Sequence, residues 1–153
     1  MHIHPLDLTN PDIAEELWAL QHAAYRREAD LIGVPDLPPL KDTVLTLQHC
    51  GETFYGCWTE DGELAGAISI EDEPDGVTVI CRMMVQPDYF RKGIGSALVA
   101  HVLAEVPGGS EVSVTAETRN EPAVRLYERQ GFQPEEIFKP APGITMVRYV
   151  RKA

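Results

Sequence analysis

Residues 77–98, VTVICRMMVQPDYFRKGIGSAL, carry the pattern on which the prediction of the fold is based. Their pattern indicates a buried strand over residues 77–85, a turn opened by Pro87, a basic glycine-rich loop, and a helix from Ile94. A strand-to-helix turn of this kind gathers free backbone N–H groups at the positive end of a helix dipole. Because that environment favours phosphate or pyrophosphate, the segment predicts an anion-binding site.

Composition and charge indicate one acidic globular domain over residues 1–153. The chain has 44% hydrophobic and 24% charged residues, which is ordinary for a globular protein. Its 13 Lys+Arg against 24 Asp+Glu give a formal net charge of −11. Because such a surface repels phosphate backbones and anionic lipids, we expect neither nucleic acid nor a membrane as a partner.

The sequence shows no sign of export, a disulfide framework or a metal site. No run approaches the roughly 18 apolar residues of a membrane span, and MHIHPLDLTN lacks the parts of a signal peptide, so we expect a cytoplasmic location. Cys50, Cys57 and Cys81 are an odd number without CxxC spacing, which favours buried thiols. The five histidines have no metal-ligand spacing, and no metal is predicted.

The first third of the chain reads as a strand and two helices. Residues 1–8 suit a first strand, and Asn10 with Pro11 starts a helix that should end near residues 25–29. The glycine and prolines of residues 33–39 then predict a stiff loop, followed by a short helix over residues 41–49.

The rest of the chain alternates strands and helices. Strands are predicted at residues 53–59, 64–70, 77–85, 112–116, 132–138 and 145–151, and helices at residues 94–106 and 121–130. The Asp61-Gly62 turn makes the first two of these strands a hairpin, and the next turn adds the third strand antiparallel to them. This order predicts an α/β or α+β domain with a mixed, largely antiparallel sheet.

Two segments carry a recognisable family pattern. MMVQPDYFRKGIGSALV, residues 83–99, resembles the acyl-CoA-binding motif of the GNAT superfamily of N-acetyltransferases. NEPAVRLYERQGF, residues 120–132, resembles the second motif of that family, and the order of elements also fits. The resemblance implies a GNAT-like central sheet of about seven strands, flanked by about four helices, with a splay between the fourth and fifth strands.

The resemblance also implies acetyl-CoA as the acyl donor. The backbone of the strand end would pair with the pantetheine arm, and the loop amides and cations would hold the pyrophosphate. One departure falls on Phe90, where the family has a polar residue. The positions assigned to the donor are Met83, Val85, Arg91, Lys92, Gly93, Ile94, Gly95, Ser96 and Asn120.

Asn120 and Tyr127 each have two interpretations. Asn120 is either a helix-capping residue or a side chain that also contacts CoA. Tyr127 occupies the position of the family's tyrosine, which implies a general acid for the thiolate of CoA. The alternative for Tyr127 is an aromatic side chain that packs on the apolar face of its helix.

The general base and the acceptor are not determined by the motifs. Some family members carry Glu or His four residues before the motif Val, and Cys81 stands there in this chain. The remaining candidates are Glu28, predicted in the loop after the first helix, Glu71 or Glu73 at a hairpin end, or a water chain. The expected walls of the acceptor site include Tyr25, Glu28, Glu71 and Glu73.

The function that the resemblance implies is N-acetylation of a small-molecule, peptide or protein amine by direct attack in a ternary complex. Two alternatives remain: a non-catalytic acyl-CoA-binding sensor or inactive relative, and a phosphate- or nucleotide-binding module unrelated to acyl-CoA. The sequence determines neither the acceptor nor the acyl chain preference. Homodimers are common in the family, but no residue pattern here specifies one.

Overall fold

A computed structural model describes residues 1–153, and seven strands form one mixed sheet with helices on both faces. The strands are β1 (His2–Pro5), β2 (Thr53–Trp58), β3 (Leu64–Asp72), β4 (Thr78–Val85), β5 (Glu111–Glu117), β6 (Gln133–Ala141) and β7 (Ile144–Lys152). The helices are α1 (Pro11–Ile32), α2 (Val44–Gln48), α3 (Ile94–Glu105) and α4 (Glu121–Arg129). Two short 3₁₀ turns cover Pro38–Lys41 and Pro87–Tyr89.

The sheet has the predicted topology. Its strand order is β1-β2-β3-β4-β5-β7-β6, and β4 with β5 is the parallel pair among antiparallel ones. The β4–β5 pairing runs from Thr78 opposite Val112 to Ile80 opposite Val114 and then stops. Beyond that point β4 continues along β3 and β5 continues along β7, so the two strands diverge. The predicted splay is therefore a gap between residues 81–85 and 115–117.

Each face of the sheet has its own apolar core. The larger core joins α3 and α4 to the central strands through residues such as Leu98, Val102 and Leu126. The smaller core joins α1 and α2 to β2, β3 and β4. Because burying one aliphatic side chain contributes about 1.5–3 kcal/mol, the two cores hold the helices firmly on either side of the gap.

Helix α1 is longer than the sequence predicted. It begins after the Asn10 cap, whose side chain accepts a hydrogen bond from the Asp12 N–H at 3.0 Å. Instead of ending near residues 25–29, it continues to Ile32, because Ala29 and Ile32 extend the buried stripe. Gly33 then ends it with φ of 76°. The placement of Glu28 in a loop was thus wrong, since Glu28 lies on the last turns of this helix.

The thiols differ in their environments, so the prediction of three buried cysteines holds only for Cys57. Cys50 is half-buried and Cys81 is exposed.

The pairing of β3 with β4 shifts its register at Cys81, because Ser69 lies opposite Arg82 whereas Ile70 lies opposite Ile80. Cys81 is the extra residue of this β-bulge.

The length and composition of the helices can be compared with what a membrane span requires. None of them combines the length and the apolar composition that a bilayer crossing requires.

Candidate active site

The loop before α3 presents a row of free backbone donors. Gly93 caps the helix with φ of 77°, and the first helical bond runs from the Ala97 N–H to the Gly93 carbonyl at 3.0 Å. None of the N–H groups of residues 91–96 has a hydrogen-bond acceptor within the protein. Free N–H groups at a helix N-terminus are the chemistry that binds phosphate oxygens.

The cations at this loop are also unpaired. Arg91 and Lys92 are exposed and form no salt bridge, although the Lys92 ammonium lies 5.8 Å from the centre of the Tyr89 ring. Arg91 is the one non-glycine residue with positive φ, at 64°. That conformation costs about 1–2 kcal/mol for an L-residue, so the loop is held in a strained shape by its surroundings.

Phe90 shows what replaces the polar side chain that the family motif has at this position. The ring is 42% exposed, and the guanidinium of Arg27 on α1 lies 5.9 Å from its centre. A cation from a different helix therefore lies beside the loop. The sequence could not indicate this, because the two residues are far apart in the chain.

Gly95 serves packing and has no positive φ. A Cβ atom there would approach Leu126 on α4 at 3.2 Å and Met83 on β4 at 3.3 Å. The start of α3 thus lies close to the end of β4 and to α4. Within the same turn, Ile94 is buried, and the Ser96 carbonyl accepts a 3.3 Å hydrogen bond from the side chain of Gln130.

The edge of β4 that faces the gap is unpaired beyond Ile80. The Gln86 N–H donates to the Ala65 carbonyl of β3 at 2.8 Å. Because N–H directions alternate along a strand, the N–H groups of Met83 and Val85 point away from β3 and into the gap. An extended chain lying in the gap would find the Val85 N–H available, and it would meet the Met83 N–H beside the Tyr25 hydroxyl.

Asn120 is a helix cap, and its side chain is engaged at both ends. Its Oδ1 accepts a hydrogen bond from the Ala123 N–H at 3.3 Å. Its Nδ2 donates to Oε1 of Glu28 at 2.6 Å. The capping interpretation is therefore present in the structure, and the bond to α1 is a feature that the sequence did not predict.

Tyr127 packs in the larger core with its hydroxyl unbonded. The residue is only 4% exposed, and its ring lies edge-on to Phe132 at 5.9 Å and tilted to Tyr149 at 6.2 Å. Burial, and secondarily the negative charge of Glu28, raise the pKa of Tyr127. The phenol therefore stays protonated at neutral pH.

Glu28 and Tyr25 lie one helical turn apart on α1 and share this environment. Burial raises the pKa of Glu28 despite the Asn120 hydrogen bond that opposes the shift, and the charge of Glu117 adds to it. Burial and the charge of Glu28 raise the pKa of Tyr25, and Tyr127 contributes further. The two phenols and the carboxyl group thus form one cluster, which contains three of the predicted site residues.

Glu117 ends β5 beside this cluster and is paired with Arg119. It is 5% exposed, and it accepts hydrogen bonds from the Arg119 side chain at 3.0 Å and from the Thr145 N–H at 2.8 Å. The Arg119 side chain is the main cause that lowers the pKa of Glu117 to about 2. Its role is to tie the end of β5 to the β6–β7 turn.

The structure does not bring Glu71 and Glu73 to this cluster. Both are exposed at the β3–β4 hairpin, next to Thr78 at the start of β4. The anion loop follows Val85, and the length of β4 separates the two ends by roughly 23 Å at 3.3 Å per residue. The Sγ of Cys81 lies 4.0 Å from the Glu71 carboxylate, so these residues belong to the hairpin end.

Arg82 forms a buried polar network that the sequence analysis missed. Its side chain is only 14% exposed and pairs with Asp42, and its Nε lies 3.0 Å from Glu52. Gln21 completes the network at 3.0 Å from the guanidinium. An arginine inside the apolar run VICRMMV was a signal that a buried partner exists. A cavity of about 310 Å³ beside it is lined by Pro38, Pro39, Asp42, Glu52, Cys81 and Arg82.

Metal-ligating side chains do not gather anywhere in the chain. No group of three or more His, Cys, Asp or Glu residues lies close enough together to hold a metal ion.

The splayed sheet and the free-amide loop define the class of fold, and solved structures share it. An acetyltransferase from Thermus thermophilus superposes with a TM-score of 0.77 at 20% identity, covering 100% of this chain and 98% of that one. A putative streptothricin acetyltransferase from Bacillus anthracis str. Ames, in complex with acetyl coenzyme A, superposes with a TM-score of 0.57 at 15% identity, covering 67% of this chain and 62% of that one. At these identities the likeness shows the fold.

Residues 12–132 match the acetyltransferase (GNAT) family, and the chain belongs to this family of acyltransferases. It is 40% identical over 134 residues to the UPF0157 protein YqkA of Bacillus subtilis (strain 168), covering 88% of this chain and 38% of that protein. It is 35% identical over 75 residues to the peptidyl-lysine N-acetyltransferase YiaC of Escherichia coli (strain K12), covering 49% and 47% of the two chains. The chain thus spans less than half the length of either relative.

Proposed function

We propose that this chain transfers an acetyl group from acetyl-CoA to an amine of a small molecule, a peptide or a protein. The observation that carries the proposal is the free N–H row of residues 91–96, next to the gap between β4 and β5. An anion site alone would fit many ligands. An anion site continuous with an unpaired strand edge fits a ligand with a pyrophosphate and a long amide-bearing arm.

Donor binding would rest mostly on the backbone. The N–H groups of residues 91–96 would take the pyrophosphate oxygens, and Arg91 and Lys92 would add charge-assisted contacts. The backbone of Met83 and Val85 would pair with the two amides of the pantetheine arm, as a neighbouring strand does. Arg27 is a further cation within reach of the loop through its position over Phe90.

The chemistry would be direct attack in a ternary complex. The Val85 N–H would polarise the thioester carbonyl, and the held geometry would supply most of the advantage over the reaction in water. Tyr127 would donate its proton to the departing sulfur. The apolar environment that raises the pKa of Tyr127 also raises the proton affinity of a thiolate in the same place. The direction of proton transfer therefore depends on the difference in pKa between the Tyr127 phenol and the CoA thiol within the site.

A non-catalytic acyl-CoA sensor is the second candidate, because Cys81 stands where some relatives carry a base. Although the residue is exposed overall, partial burial of its thiol is the first cause that raises the pKa of Cys81 to about 12, and the charges of Glu52 and Glu71 add to it. The thiol is therefore neutral at physiological pH and cannot act as a base there.

Two measurements test the proposal. Calorimetry with acetyl-CoA should give saturable binding that weakens in the Arg91→Gln, Lys92→Gln double variant and stays unchanged in Arg125→Gln, an exposed cation elsewhere. Free CoA release should then rise above background with at least one amine of a panel: 2-phenylethylamine, spermidine, lysine, and peptides with a lysine or an N-terminal alanine. Binding without release across the panel would favour the sensor. No binding of acetyl-CoA would contradict both candidates.

A further inference from the structure

The carboxylates around the gap differ in how they are neutralised. Arg82 neutralises Asp42 and Glu52, and Arg119 neutralises Glu117. Glu28 has no cationic partner, and its one polar contact in the protein is the neutral amide of Asn120 at 2.6 Å. A half-buried carboxylate with a single neutral donor has unused acceptor capacity.

The surroundings of Glu28 favour a cation. The hydroxyls of Tyr25 and Tyr127 lie within the influence of the Glu28 charge, which raises the pKa of both phenols after burial. An ammonium group placed there would gain an ion pair with Glu28. No fixed cation of the protein competes for this position, since Arg27 lies over Phe90 and Arg82 is held by its own two carboxylates.

We propose that Glu28 receives the acceptor as an alkylammonium ion and takes up its proton. The inference rests on the proposed acetyl transfer. It assigns the base to the first helix, instead of the fourth strand where Cys81 stands.

The proton balance of the step is complete within the cluster. The ammonium R–NH₃⁺ gives one proton to the Glu28 carboxylate, and the freed nitrogen lone pair forms the C–N bond to the acetyl carbonyl carbon. As the C–S bond breaks, its electron pair stays on sulfur, and the Tyr127 hydroxyl supplies the proton that sulfur receives. The second proton that nitrogen loses restores the Tyr127 hydroxyl. Glu28 then releases its proton to solvent, so that one proton leaves per acetyl group transferred.

The pH dependence follows from the sign of the Glu28 shift. The groups that face Glu28 are Tyr25 on its own helix, Asn120 and Tyr127 from α4 and its cap, and Glu117 from the end of β5. Because Glu28 must be ionised to accept a proton, activity should fall as the pH drops through its raised pKa. The acidic limb of kcat/KM should therefore lie above the usual range of a glutamate.

The test compares Glu28→Gln with Glu15→Gln, an exposed glutamate on the same helix. The introduced glutamine keeps an oxygen that accepts from Asn120, so the helix contact is preserved while the base is lost. With the panel amine that has the highest kcat/KM, Glu28→Gln should lose about 100-fold at pH 7. It should also lose the acidic limb, and it should recover part of the rate near pH 10, where the amine is already neutral. Glu15→Gln should stay within twofold.

The assignment would be overturned if the pH profile of kcat/KM for Glu28→Gln kept the acidic limb of the wild type. A kcat/KM within threefold of wild type at pH 7 would also overturn it. A second measurement does not depend on turnover: the ¹³C resonance of the Glu28 carboxyl group should titrate at raised pH and shift when 2-phenylethylammonium is added. A carboxyl group that titrates normally and does not respond to the ammonium ion also overturns it. If no amine is acetylated but this response is present, the proposed function fails and the alkylammonium site stands.

Discussion

The Nδ2 atom of Asn120 lies 2.6 Å from Oε1 of Glu28, and this bond joins residues 92 positions apart. Glu28 belongs to α1 on one face of the sheet, and Asn120 caps α4 on the other face. A direct contact between the two faces is possible only where β4 and β5 diverge, since a paired sheet would separate them. The splay thus allows residues from both faces to meet beside the gap.

Asn120→Asp should separate the capping role from the contact with Glu28. Aspartate caps helices as well as asparagine does, but it cannot donate to Glu28 and adds a like charge. We expect the free energy of unfolding to fall by about 1–3 kcal/mol at pH 7, measured in urea. The acidic limb of acetyl transfer should also move to higher pH.

Asn120→Ser is the control for that prediction. Serine retains the cap and removes the bond to Glu28 without adding charge, so the loss of stability should be smaller than in Asn120→Asp. Equal stabilities of the two variants would show that repulsion from Glu28 is negligible.

Tyr127→Phe should lower turnover by about 100-fold while leaving the affinity for acetyl-CoA unchanged. The hydroxyl makes no hydrogen bond in the protein, so the packing of the ring against Phe132 and Tyr149 should survive. Steady-state kinetics and calorimetry together check both parts. Tyr149→Phe, a buried neighbour of the same size, should retain wild-type turnover, and normal turnover in Tyr127→Phe would exclude the acid role.

Gly66→Ala should disturb the start of α3 from the adjoining strand β3. A Cβ atom at Gly66 would lie 2.7 Å from the Ile94 side chain and 3.1 Å from the Met84 carbonyl, which cannot move away easily. Such overpacking costs about 1–3 kcal/mol and should also weaken acetyl-CoA binding. Gly108→Ala, with nothing near its Cβ position and an ordinary φ, is the control that should change neither quantity. An unchanged Tm in Gly66→Ala would contradict this account.

Glu117 should make the protein more stable at neutral than at acidic pH. Its pKa is lowered from 4.5 to about 2, chiefly by the Arg119 side chain, so the ionised form is favoured in the folded state. The stabilisation is therefore complete above about pH 4.5 and is lost as the pH falls toward 2, with a size of about 3 kcal/mol. Urea unfolding across this range measures it.

Glu117→Gln should remove most of that pH dependence, since glutamine does not titrate. The difference in stability from wild type should be largest at pH 7 and shrink below pH 4. Glu136→Gln, an exposed carboxylate without a salt bridge, should follow the wild-type curve. A Glu117→Gln curve parallel to wild type would show that other carboxylates cause the acid loss.

Local signals predicted most of the fold. Alternating apolar residues, the Asp61-Gly62 turn and the cap at Asn10 act over a few residues, so the order of elements and the pairing of neighbouring strands followed from them. The end of α1 could not be predicted in this way, because the buried residues Ala29 and Ile32 keep the helix against the sheet beyond the predicted end. For Asn120 and Tyr127, the structural interpretations that the sequence left open, a helix cap and a packed ring, are both present.

Motif spacing and short-range geometry were enough to predict the family, the order of elements and an anion-binding loop before α3. Tertiary packing alone pairs the carboxylates around the gap with arginines and leaves Glu28 without a cationic partner there. Arg82 finds Asp42 and Glu52 from 40 and 30 residues away, and Asn120 finds Glu28 from 92. Such pairs depend on how helices pack across a sheet, and packing sums many weak contacts that no local pattern encodes.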